Sequence, residues 1–177
     1  KIYYGRAVYD HKEINAVIDV LKNNSLSLTD GKKVKILEKK VSNIFGKKYG
    51  LMVNSGSSAN LLAVFAAGNP LKRNHLKKGD EVLVPVLCWS TSIWPLVQFG
   101  LKPIFVDIDI DTLNIDISQI EKKITKKTKA IMLINVLGIS SDLFKIKKIA
   151  KKNKLILFED NCESLGTKLK NKYLGSF

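Results

Sequence analysis

The chain has 177 residues, 45% hydrophobic and 26% charged, which suits a globular protein with one sizeable core. Its formal net charge of +14 raises nucleic-acid binding, but only Arg6 and Arg73 of the 30 basic residues are arginines; the lysines fall in doublets suited to solvated helix faces. No apolar run approaches a membrane span, no signal-peptide pattern opens the chain, and Cys88 and Cys162 form no metal or redox motif, so a cytoplasmic setting is expected, without nucleic acid, membrane or metal as partner.

In chain order, Ile14, Val17, Ile18 and Leu21 stand at helical spacing, as do Leu37, Val41, Ile44 and Phe45. Residues 1–47 therefore read as a helical arm of two helices broken at Asn23 to Ser25, with Thr29 and Asp30 as caps of the second. A short strand is expected at Tyr49 to Val53, and a helix at Ala59 to Ala67. From there strands are expected at 81–84, 103–106, 130–134 and 155–158, and helices near 92–98, 117–124 and 143–152. Strands alternating with helices imply crossover units, hence a three-layer α/β/α domain from residue 48 onward with a mainly parallel sheet. Asn171 and Lys172 signal a terminal hairpin turn.

Three segments at strand ends carry chemistry. Asn54 to Asn60 (Asn-Ser-Gly-Ser-Ser-Ala-Asn) joins a strand to a helix. Glycine lets a backbone approach a ligand, and free amides at a helix start favour an anion. The segment has neither the Walker lysine nor the dinucleotide spacing, and reads equally as a phosphate cradle or as an N-cap with small residues for close packing. Trp89, in the loop after the next strand, offers a flat face to a planar ligand or simply caps the core. Then an apolar run, Leu155 to Phe158, delivers Glu159, Asp160 and Glu163 where a buried strand should end. Ligands of open α/β sheets bind at such carboxyl ends, and carboxylates there are costly unless something cationic meets them. A phosphorylated heteroaromatic cation satisfies all three segments, and pyridoxal phosphate is such a molecule, with Asp160 on its ring nitrogen.

Other motifs point to structure. Asp107, Asp109, Asp111 and Asp116 lack the glycine and glutamate of a calcium loop, since Thr112 and Ser118 stand at those positions. His11 and His75 have no partner pattern, and no Gly-x-Ser-x-Gly elbow is present.

These residues carry a resemblance. Asn54 to Asn60, Lys78 to Val82, Phe105 to Asp109, Leu113 to Asp116, Thr128 to Ile131 and Glu159-Asp160 together resemble, in order, the N-terminal half of the DegT/DnrJ/EryC1/StrS family of vitamin B6-dependent nucleotide-sugar enzymes. The resemblance implies the large domain of the aspartate-aminotransferase fold (fold type I), truncated. It implies that Gly56, Ser57 and Ser58 bind the phosphate of pyridoxal or pyridoxamine 5'-phosphate, that Trp89 stacks on its ring and that Asp160 pairs with its pyridinium. Where family aminotransferases read Glu-Asp-Ala-Ala-Gln, this chain reads Glu159-Asp160-Asn161-Cys162-Glu163. That form is similar to a dehydratase branch in which a histidine replaces the Schiff-base lysine. The branch removes the C3 hydroxyl of GDP-4-keto-6-deoxymannose, with glutamate as amino donor, in deoxysugar pathways feeding lipopolysaccharide O-antigen. Glu163 would then support that base or the cofactor's ring hydroxyl. The resemblance also implies a homodimer, two later strands beside the one at 49–53, and a catalytic lysine or histidine beyond Phe177, so that these 177 residues alone lack turnover. The alternatives are a sugar aminotransferase, or a non-enzymatic basic binding protein.

Overall fold

The structure, a computed structural model, describes residues 2–3, 5–23, 28 and 31–177, in two compact units, Lys1–Met52 and Val53–Phe177. The first unit holds helices α1 (His11–Asn23) and α2 (Lys32–Ile44). Their apolar stripes are real but unburied within the unit: Ile14, Val17, Leu21, Ile36, Leu37 and Val41 are all exposed. Gly50 runs so close to α2 that a Cβ there would sit 2.7 Å from the Glu38 carbonyl oxygen, and the Met52 amide donates to Glu38 Oε1 at 2.7 Å. The expected caps Thr29 and Asp30 lie outside the described residues.

The second unit begins with α3 (Gly56–Ala67) and continues β1 (Glu81–Pro85), α4 (Ser90–Phe99), β2 (Lys102–Val106), α5 (Ile117–Lys123), β3 (Thr128–Ile134), α6 (Leu143–Lys152) and β4 (Ile156–Asp160). All four strands are parallel, in the order β2-β1-β3-β4. Side chains alternate across the sheet as the two-residue period requires. Leu83, Ile131 and Leu133 point to one face, where Ile120 of α5 and Leu143 and Ile146 of α6 cover them. Val82, Val84, Ala130 and Met132 point to the other, against Val64 of α3 and Leu96 of α4. This is the expected α/β/α layering. From Ala130 to Ile134 no residue of β3 is more than 5% exposed, and that is why its sequence is a continuous apolar run rather than an alternating one. Each large side chain fully buried here contributes about 1.5–3 kcal/mol.

Three expectations need correction. Residues 49–53 form no strand, and Tyr49, Leu51 and Met52 are exposed. A strand exists only through a ladder with a neighbour, and among the described residues none pairs with this segment. The last sheet strand runs to Asp160, not Phe158, because Glu159 and Asp160 stand in register with Leu133 and Ile134 of β3. The terminal hairpin (β5, Lys168–Leu169; β6, Lys172–Tyr173) turns at Lys170-Asn171, one residue earlier than expected. Both turn residues have positive φ (47° and 64°), as the favoured two-residue hairpin demands.

The strand order positions the site. From β1 the chain crosses through α4 to β2 on one side. From β3, β1's other neighbour, it crosses through α6 to β4 on the opposite side and face. The connection reverses between β1 and β3, and in open α/β sheets such a reversal opens a crevice at the carboxyl ends of the strands.

Candidate active site

Asp160 ends β4 half-buried, as the last residue of the ladder with β3. Its Oδ2 accepts from Asn60 Nδ2 of α3 at 2.8 Å and from Ser92 Oγ of α4 at 3.3 Å, and its Oδ1 accepts from the Cys162 amide at 3.1 Å. All three donors are neutral. Donors of this kind, the Cys162 S–H included, hold the group without a positive charge to offset its own, which stays available to a ligand.

That charge is felt nearby. The Cys162 thiol is pushed from 9.0 up to about 11, first by burial, then by the Asp160 charge and by its own S–H bond to Asp160. The Cys88 thiol is likewise raised, by burial first and then by Asp160. Both cysteines are thereby kept as thiols, unsuited to nucleophilic work.

The helix that carries Asn60 also supplies the anion-binding segment. Ser55 is its N-cap, in extended backbone, accepting from the Ser58 amide at 3.2 Å and donating to Ser58 Oγ at 3.3 Å. Gly56 and Ser57 follow in the first turn, whose amides the helix ladder leaves unpaired. A Cβ built on Gly56 meets no atom within 4 Å, so the space before the helix start is open. Trp89, next to α4 and 73% exposed, leaves its indole face uncovered, unlike a core cap.

Glu163 lies in the turn after β4 and meets a different partner: its Oε2 accepts from the Leu137 amide at 2.6 Å. Leu137 sits in the short turn Val136–Gly138 after β3 with φ 52°, a conformation that a leucine adopts only where surroundings enforce it. Thr167 Oγ1 donates to the Gly138 carbonyl at 2.9 Å, and a Cβ on Gly138 would come within 3.3 Å of both the Glu163 carbonyl and Thr167 Oγ1. The two turns are therefore closely interlocked. Glu159 faces elsewhere, accepting from the Gly175 amide at 2.9 Å and from Asn135 Nδ2 at 3.3 Å.

Thus Asp160 is directly joined to the helix bearing Gly56, Ser57 and Ser58 and to the helix that Trp89 precedes, while Glu163 is tied to the turn after β3. Asn60, Ser92 and Leu137 are the partners that sequence reading did not assign. A signal existed for Asn60, a lone amide in a helix otherwise built of small and apolar residues. None existed for Leu137, whose role belongs to its backbone. The aspartates of the 107–116 segment act locally: Asp109 Oδ1 accepts from the amides of Asp111 and Thr112, and Asp116 caps α5 through the Ser118 amide. Among the described residues no helix is long and apolar enough to cross a membrane.

A parallel sheet clothed in helices on both faces, with an acid and a free helix start joined at its carboxyl edge, defines a ligand-binding α/β protein. More narrowly, the chain belongs to the DegT/DnrJ/EryC1/StrS aminotransferase family, whose model matches residues 8–177. It is 44% identical over 171 residues to GDP-4-keto-6-deoxy-D-mannose 3-dehydratase of Yersinia pseudotuberculosis, covering 97% of this chain and 43% of that protein. Among solved structures it resembles GDP-4-keto-6-deoxymannose-3-dehydratase with a trapped PLP-glutamate geminal diamine (TM-score 0.89, 43% identity, 97% of this chain and 44% of that one). It also resembles a mutant of that dehydratase with bound GDP-perosamine (TM-score 0.90, 45% identity, the same coverage). The chain thus spans less than half the length of these relatives, and its fold is the corresponding part of theirs.

Proposed function

We propose that the intact protein carrying this chain is a vitamin B6-dependent nucleotide-sugar 3-dehydratase of deoxysugar and lipopolysaccharide O-antigen biosynthesis. Its substrate would be GDP-4-keto-6-deoxymannose and its amino donor glutamate. The observation that carries this reading is the 44% identity to such a dehydratase over 97% of the chain. The site residues fit the cofactor: an open helix start for its phosphate, an exposed indole for its ring face, and an acid held by neutral donors for its ring nitrogen.

Pyridoxal or pyridoxamine phosphate, when bound, supplies an electron sink that weakens bonds next to the carbon it holds. The work of this chain is to bind and orient it. Gly56, Ser57 and Ser58 take the phosphate at the positive end of α3. Trp89 covers a ring face and excludes water. Asp160 holds the ring nitrogen in its protonated form. Glu163, steadied by the Leu137 amide, orients either the ring hydroxyl or the histidine that would move protons. That base is not assigned to any lysine here. Residues 48–177 would be the first part of the cofactor-binding domain, and 1–47 an arm added to it. The protein would work in the cytoplasm as a homodimer. The exposure of Leu62 and Phe65 on α3 and of Trp94 and Val97 on α4 accords with an interface there.

The test is to incubate the intact protein with GDP-4-keto-6-deoxymannose, glutamate and cofactor, and to weigh the products. A 3-deoxy sugar is expected. An amino sugar with no 3-deoxy product would refute the dehydratase and leave an aminotransferase.

A further inference from the structure

Asn60 occupies a position that the phosphate cradle does not explain. It is half-buried on α3, one turn past Gly56, and its amide reaches across 100 residues of sequence to the Asp160 carboxylate. An ionised carboxylate only accepts, so the Asn60 amide must present its NH2 group to Oδ2. The bond is 2.8 Å, within the short range of charge-assisted hydrogen bonds. Ser92 Oγ, on the same oxygen at 3.3 Å, is longer than an ordinary hydroxyl bond. The Cys162 amide, on Oδ1, and the weakly donating Cys162 thiol hold the carboxylate from within the same loop. The terminal torsion of an aspartate is broad and roughly two-fold, so without an outside donor the carboxylate plane is weakly fixed. Asn60 is the strong outside donor.

We infer that Asn60 is a positioning residue: it fixes the plane of Asp160 so that the carboxylate faces the ring nitrogen of the cofactor. Because Asn60 and the Gly56-Ser57-Ser58 turn belong to one rigid helix, α3 sets both the phosphate end and the ring-nitrogen end of the site. The sheet then acts only through Asp160. The inference rests on the cofactor reading above.

The test compares pyridoxal phosphate with its 1-deaza analogue, in which a CH group replaces the ring nitrogen while phosphate, aldehyde and hydroxyl remain. Each is titrated into the cofactor-free intact protein and followed by tryptophan fluorescence. The unaltered protein is expected to prefer the natural cofactor. Asn60→Ala should shrink that preference about tenfold, the scale of one hydrogen bond to a charged group, while affinity for the analogue changes little. Ser92→Ala should shrink it less. Asn60→Asp keeps the size and sets two carboxylates together, so the preference should return only as pH falls and a shared proton restores the donor. An equal loss of both affinities in Asn60→Ala would show a merely structural role and overturn the inference, as would an unchanged ratio or a pH-independent ratio in Asn60→Asp. If the unaltered protein shows no preference, the assignment of Asp160 to the ring nitrogen fails as well.

Discussion

Cys162 reports the charge of Asp160. Its sulfur is two residues from the carboxylate, exposed enough to be reached by a small reagent, and its pKa is pushed up to about 11 from 9.0. Alkylation proceeds through the thiolate. At pH 8.5 the thiolate fraction falls from about one quarter to about 0.3%, roughly a 75-fold loss, for that displacement of pKa. A more basic thiolate is also a better nucleophile, and over two pKa units this returns about 6- to 10-fold. The net expectation is alkylation about tenfold slower than for a cysteine titrating at its ordinary value. The assay is the iodoacetamide rate from pH 7 to 11.5, read by mass spectrometry on the cofactor-free protein in a Cys88→Ser background. A denatured sample sets the unhindered rate.

The sharper half of the experiment is Asp160→Asn. Removing the negative charge while keeping the shape should lower the alkylation midpoint of Cys162. It should not fall all the way to 9.0, because burial is the first cause of the shift and remains. The Asn60 donor would still find an amide oxygen, so the loop itself should stay in place. A midpoint near 9 in the unaltered protein would refute the geometry around Cys162. A midpoint that Asp160→Asn leaves unmoved would refute the claim that Asp160 presents a negative charge to this site.

Two further predictions concern the scaffold. Asp142 caps α6 by accepting from the Lys145 amide at 3.1 Å, and this bond holds its carboxyl below the usual carboxylate range. Asp142→Ala should cost about 1 kcal/mol in urea unfolding at neutral pH. The folded-state pKa is depressed, so the contribution is present above the unfolded value of about 3.9 and fades as pH falls through the folded value; an undiminished difference well below pH 3 would contradict the cap. At the end of α3, a Cβ on Gly68 would land on the Phe99 ring, which packs edge-on against Phe65 with centroids 5.2 Å apart. Gly68→Ala should therefore destabilise by about 1–3 kcal/mol. Phe99→Leu should cost less in the Gly68→Ala background than alone, and additive costs in a double-mutant cycle would show that the ring is not the obstacle.

What the sequence made legible follows from range. α6 runs from Leu143 to Lys152 as expected, because a stripe of Leu143, Ile146, Ile149 and Ala150 is a local pattern. β3 was legible for a similar reason: a strand buried on both faces is written as an unbroken apolar run. The errors arose where a neighbour far along the chain decides. Residues 49–53 have strand composition but no ladder partner among the described residues, and composition cannot supply one. Glu159 and Asp160 have little strand propensity, yet β3 pairs with them and extends β4 over both. The acid cluster itself was visible as three carboxylates in need of partners. Their division of labour was not, because it is set by donors brought in from three different elements. Glu159 braces the Gly175 amide and Asn135, Glu163 holds the strained Leu137 turn, and Asp160 alone faces α3 and α4. Of the three, Asp160 is the one whose donors come from α3 and α4 beside the anion-binding turn, and that placement is what singles it out for a cation.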